Sequence, residues 1–212
     1  MSQAPKTASW WANHWALTLN TFFFTYAALP MLAPILLAQG YAGPAEVIYQ
    51  LYGFTCHQMP DHSHFIAGQQ MAVCQRCNAI QVTLALAGLI YASHLFRLPA
   101  LNLKWFLLFL IPIGIDGGMA LVSDLLTVMP VYPLWIVGLT LIAISSLWLY
   151  SRRLLSWPVA LFFAAGPFSL LYLQLFGPHS SNWWLRAITG AIYAVGVIWL
   201  IYSMFEPKRN ET

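Results

Sequence analysis

The sequence predicts an all-α, polytopic membrane protein: a transmembrane helical bundle of about six spans with one short re-entrant or interfacial Cys-rich loop. Three observations predict it. Only 7% of the 212 residues are charged while 60% are hydrophobic, too little charge to cover the surface of a soluble chain. The apolar residues fall in runs that reach or approach the ~20 residues needed to cross a ~30 Å hydrocarbon core. All three cysteines lie between Cys56 and Cys77, and none elsewhere.

The first run, 17–39, contains Pro30 and Pro34, which a membrane helix tolerates with a bend. A cleaved signal peptide has a short apolar core followed by a small-residue cleavage site, whereas this run is long and continues to Gln39, so it reads as an uncleaved span. Residues 41–55 are too short and polar to cross. Their apolar positions Val47, Ile48, Leu51 and Tyr52 fit a short amphipathic helix at the interface. The Cys/His loop, 56–77, follows. Further spans are expected at 74–96, 104–123, 131–150, 157–177 and 184–205. No linker or internal repeat divides them, so 1–212 reads as a single integral membrane domain.

Charge sets the expected orientation. Lys6, Arg97, Lys104, Arg152, Arg153, Lys208 and Arg209 fall on the side of the termini, against Arg76 and Arg186 opposite. By the positive-inside rule both termini are cytoplasmic and the Cys loop is extracytoplasmic, in the cell (inner) membrane. The net charge of +3 is scattered in short loops, which argues against nucleic acid as a partner. Trp10, Trp11, Trp15, Trp183 and Trp184 lie at span edges, as an aromatic belt requires.

The chemistry concentrates in the loop. Cys74 and Cys77 form a C-x-x-C pair at the start of a span, where a helix N-terminus favours thiolate. Cys56 is the third ligand in reach. The fourth is open among His57, adjacent to Cys56, and His62 and His64. Such a Cys3His set points to structural zinc, tetrahedral and closed. An iron–sulfur cluster is the alternative, less suited to an oxidising face. Covalent haem lacks its motif, since Asn78 follows Cys77 where histidine is needed. Inert packing of three small thiols, with no cofactor, is the bland alternative.

Charge inside the membrane marks a second constellation. Asp116 in the third span and Arg186 near the outer end of the sixth face a partner or a cavity, because an ionised group in hydrocarbon is costly. They fit an ion pair, or an outer-leaflet polar pocket for a small molecule or quinone, lined by Asp116, Asn182 and Arg186, with Thr189 nearby. Asp124 reads as a solvated loop residue, and His14, His94 and His179 as boundary residues.

The text CHQMPDHSHFIAGQQMAVCQRCNAI resembles the signature of the DUF2085 group of uncharacterised membrane proteins, with C-H-Q followed by V-C-x-R-C. Asp116-Gly117 and SSNWWLRAITG at 180–190 resemble two further blocks of that family. The chain departs from it at His62-Ser63, where the family has Arg-Ser, and at Asn78-Ala79-Ile80-Gln81, where it has T-G-I-Y. The resemblance implies that Cys56, His57, Cys74, Arg76 and Cys77 act as one unit and favours His57 as fourth ligand. It implies no activity.

The expected function is therefore an accessory or scaffold subunit of a membrane complex, with lipid and other membrane proteins as partners. One alternative is a thiol–disulfide, quinone-linked oxidoreductase using the C-x-x-C pair. Against it, only Cys56 remains to serve as a second redox pair. A metal-handling transporter is the other, although few ligand residues continue down the membrane.

Overall fold

The computed structural model describes residues 6–93, 99–128, 133–176 and 181–205. Among them the chain is almost entirely helical, as expected: α1 (Lys6–Ala38), α2 (Ala42–Gly53), α3 (Gln75–Ala92), α4 (Leu103–Val128), α5 (Pro133–Ser151), α6 (Trp157–Phe176) and α7 (Trp183–Phe205). The exception is a β-hairpin, β1 (Ser63–Ile66) and β2 (Gln69–Cys74), within the Cys/His stretch expected to be a loop. His94 and His179 lie outside the described residues, as do the side chains of Trp10, Trp11 and Asp124.

Among the described residues three helices are long and apolar enough to cross a membrane: His14–Ala38 within α1, Leu103–Ala120 within α4, and Trp183–Phe205. α5 and α6 contribute shorter apolar stretches, Thr140–Ser151 and Trp157–Pro167. α3 is different, because Gln75, Arg76, Asn78 and Gln81 crowd its first half. α5 turns Val137, Leu141, Ile144, Leu147 and Trp148 outward without protein cover, the pattern of a lipid-facing surface.

The chain forms two compact units, one of the described residues up to Pro99 with those from Ile201, the other of Ala100–Leu200. In the first, α1 packs against α2, α3 and the hairpin. α1 ends at a Schellman turn: Tyr41 N–H donates to Leu36 O (2.9 Å) and Gly40 N–H to Leu37 O (3.1 Å). Gly40 sits at φ +88°, a left-handed conformation that costs glycine little. This turn sends the chain straight into α2.

α2 splits its apolar residues between two sides. Ile48 and Tyr52 pack inward, while Val47 and Leu51 are exposed. The core beneath the hairpin gathers Ala33, Tyr52, Cys56, Met71, Ala72 and Val73, with Tyr52 O–H donating to Tyr26 O of α1 (2.6 Å). The two-residue turn Ala67-Gly68 has φ of +50° and +76°, which matches the right-handed twist of paired strands. Ser63 then lies opposite Cys74, past a bulge between Ser63 and Phe65.

Farther along this unit Tyr202 O–H donates to Asn20 Oδ1 (2.8 Å), both side chains buried. The Tyr202 ring is flanked by Trp15 (5.0 Å) and Tyr91 (4.8 Å). Gly88 of α3 lets α1 approach this pair. In the second unit α6 packs on α4 and α5, and Phe109 of α4 meets α7 at Gly196 and Trp199.

A Cβ added at Gly88 would lie 2.4 Å from Asn20 Oδ1 and 3.2 Å from Tyr202 Oη. Gly88→Ala is therefore expected to destabilise the protein by about 1–3 kcal/mol through overpacking. Asn20→Ala alone is expected to cost about 0.6 kcal/mol, the typical worth of an interhelical hydrogen bond in a bilayer. The double variant recovers most of the Gly88→Ala loss. Thermal unfolding in detergent checks this, and a double variant no better than Gly88→Ala would show that the contact is not limiting.

Candidate metal centre

Two separated pieces of chain converge on one point. Cys56 follows the end of α2, Cys74 closes β2, and Cys77 sits in the first turn of α3. The sulfurs of Cys56, Cys74 and Cys77 all lie within 4.8 Å of one another, and all three cysteines are free. A tetrahedral zinc with ~2.3 Å bonds to sulfur holds its ligands about 3.8 Å apart, so the trio needs little adjustment. Cys56 is buried and the other two are half-buried.

The backbone supports charge here. The N–H of Cys74 donates to Cys56 Sγ (3.1 Å). The Cys74 thiol is pulled well below the ordinary thiol range, first by the Cys56 side chain and then by that of Cys77, with the backbone N–H groups of Cys77 and Arg76 adding to the effect. Cys56 is pushed up, chiefly because its proton is held against Cys74. The lowered thiol, Cys74, stands at the start of α3, where the helix dipole favours negative charge.

What brings the two pieces together is a pair of glutamines. Gln58 adopts φ +50° immediately after Cys56-His57. Its Nε2 donates to Tyr49 O of α2 (2.7 Å) and Ala72 O of β2 (2.8 Å), fastening helix to strand. Gln70 returns the favour: its Nε2 donates to Gln58 O (2.6 Å) and Ser63 Oγ (3.1 Å). Tyr49 O–H donates to Gln70 O, and Ser63 O–H to Met59 O (2.8 Å). Neither glutamine stands out by residue type. Gln58 does sit in the C-H-Q text, where attention falls on the cysteine and histidine.

The histidines do not join the sulfurs. Among the described residues the group contains the three cysteines alone. His57 and His64 are exposed and His62 is half-buried. Adjacent side chains diverge, and Cys56 takes the inward direction. In the second unit Asp116, Arg186 and Thr189 are all buried, whereas Asn182 is exposed. Thr189 O–H donates to Asp116 Oδ2 (3.3 Å), joining α4 to α7. The carbonyl of Asn182 accepts the N–H of Arg186 (3.0 Å) as α7 begins. Trp183 and Trp184 are exposed at the same end.

Comparison with known proteins bears out the resemblance. Residues 56–131 match the model of the DUF2085 family, described as a predicted membrane protein. That stretch holds the cysteine trio, α3 and Asp116-Gly117, while the block at 180–190 lies beyond it. An uncharacterised protein of Methanocaldococcus jannaschii is 41% identical over 79 residues, 36% of this chain and 50% of that protein. The chain thus matches about half the length of that curated relative. No solved structure matches.

Replacing Gln58 with Leu removes the donor shared by the part-buried carbonyls of Tyr49 and Ala72. The expected loss is about 1–3 kcal/mol, with faster amide exchange across 63–74. Hydrogen exchange read by mass spectrometry checks this; unchanged protection in the hairpin would contradict the clamp.

Proposed function

We propose that this membrane protein carries an extracytoplasmic metal centre, zinc held by Cys56, Cys74 and Cys77, that pins its hairpin to the start of α3. The observation that carries the reading is the convergence of three sulfurs, with a backbone N–H on one of them. Thiolate donors select zinc among the common divalent ions, and a metal replaces the mutual repulsion of three thiolates with attraction. Because the ligands come from both sides of the hairpin, binding energy becomes folding energy for this segment.

In this reading six spans cross the cell membrane, both termini face the cytoplasm, and the hairpin faces out. The charge asymmetry along the sequence supports that orientation. Asp116 and Arg186 form the polar part of an outer-leaflet site for a small molecule or quinone, with Asn182 at its edge. Their burial supports this, because ionisable groups in a bilayer face partners or cavities. The protein acts as an accessory subunit of a membrane complex. The uncovered apolar surface supports a role among lipid and protein neighbours.

Intact cells treated with a membrane-impermeant maleimide test the metal and the sidedness together, with zinc measured on the purified protein. The expected outcome is one zinc per chain, no labelling before chelation, and three labelled thiols afterwards. Labelling only after cell lysis would reverse the orientation. A metal-free protein with two cysteines already joined would replace the metal reading with thiol–disulfide exchange.

A further inference from the structure

The second unit carries a cleft with its own chemistry, at the end where α4 starts, α5 ends and α6 starts. Trp105 of α4 meets Trp157 of α6 edge to face, 5.3 Å between ring centroids, which sets these two helix starts side by side. The cleft, an open cavity of about 380 Å³, is lined by Tyr150, Ser151, Arg153, Leu155, Ser156 and Trp157. The apolar span of α4 begins at Leu103, so this end lies at a membrane–water boundary. Trp105, Trp148, Leu154 and Trp157 are exposed around it, the aromatic and apolar rim that such a boundary favours.

Charge is one-sided here. Lys104, Arg152 and Arg153 are all exposed at this end. Between residues 100 and 200 the acidic residues are Asp116 and Asp124 only, both in α4. At ~1.5 Å per residue Asp116 stands about 18 Å along the helix from Lys104, and Asp124 stands farther. The second unit thus brings no carboxylate of its own to this end. Arg152 is held over the Trp148 ring (5.4 Å), while Arg153 lines the cleft. Arg153 closes α5 in a Schellman turn at φ +58°, with Leu154 N–H donating to Leu149 O (3.0 Å) and Arg153 N–H to Tyr150 O (2.9 Å). Glycine takes that conformation with least strain, so the fold alone does not call for an arginine.

We propose that this cleft binds the phosphate headgroup of an anionic phospholipid from the adjoining leaflet. Arg153 pairs with the phosphate through its forked N–H donors, and the Ser156 hydroxyl adds a further donor. Arg152 and Lys104 supply the surrounding positive potential. Tyr150 and Trp157 wall the glycerol and the upper acyl chain. A phosphate free in solution shares the charge but would leave the apolar rim uncovered, which favours the lipid. The inference does not depend on the metal centre, whose residues belong to the first unit.

Native mass spectrometry of the full-length protein in a neutral detergent tests it, by titration with phosphatidylglycerol and with phosphatidylcholine of the same acyl chains. One phosphatidylglycerol per chain is expected to bind about tenfold more tightly than phosphatidylcholine. Arg153→Gly is expected to weaken phosphatidylglycerol about fivefold while the thermal midpoint holds or rises, because glycine suits the turn. Lys6→Gln, which removes one charge from the first unit, leaves the affinity unchanged.

Equal affinity for the two lipids, or an Arg153→Gly protein that binds phosphatidylglycerol as tightly as the unaltered one, would overturn the proposal. An equal loss in Lys6→Gln would mean unspecific charge attraction and overturn the cleft. Inorganic phosphate that displaces the lipid at equal concentration would make this a site for a soluble anion and overturn the lipid assignment.

Discussion

Three sulfurs held within 4.8 Å of one another are the constraint on which the first half of the molecule depends. Thiols at that distance cannot all ionise without a counter-charge, and the neighbouring cysteine side chains hold the Cys74 thiol below its ordinary range. Holding the side chains in that state requires the backbone on either side to be fixed. The two glutamines do this by hydrogen-bonding to main-chain carbonyls and to the Ser63 hydroxyl, which ties the hairpin to α2 at several points. The sulfurs and the clamps form one unit, and neither is arranged without the other.

The unit needs a floor, and α1 provides it. Its buried Ala33 contributes to the core under Met71, Ala72 and Val73, and its Tyr26 carbonyl accepts from Tyr52. The Schellman turn at Gly40 reverses the chain so that α2 returns over the end of the helix it has just left. A long apolar helix thereby delivers a small, polar, hydrogen-bonded structure to its own end.

Much of this was legible in the sequence, for reasons that differ by element. The long helices announce themselves because hydrocarbon selects uninterrupted apolar runs, and α2 does so by its length. The cysteine trio is legible because ligands for one ion must cluster. The hairpin is not, since its strands have four and six residues and turn on Ala67-Gly68 rather than on a strong turn pair. Gln58 is hidden for another reason: its meaning lies in carbonyls nine and fourteen residues away, which no local pattern reveals. His57 shows the converse, because adjacency to Cys56 in sequence becomes divergence in space. Asn78 and Gln81, where the text departs from the family signature, each carry a buried amide oxygen with no donor.

The central claim is that three cysteines from two parts of the chain bind one metal. X-ray absorption at the zinc edge of the purified protein tests it most directly. The account predicts three sulfur scatterers at about 2.3 Å and one nitrogen or oxygen at about 2.0–2.1 Å. A zinc shell built only of nitrogen and oxygen, or a reduced protein that retains no metal, would contradict it.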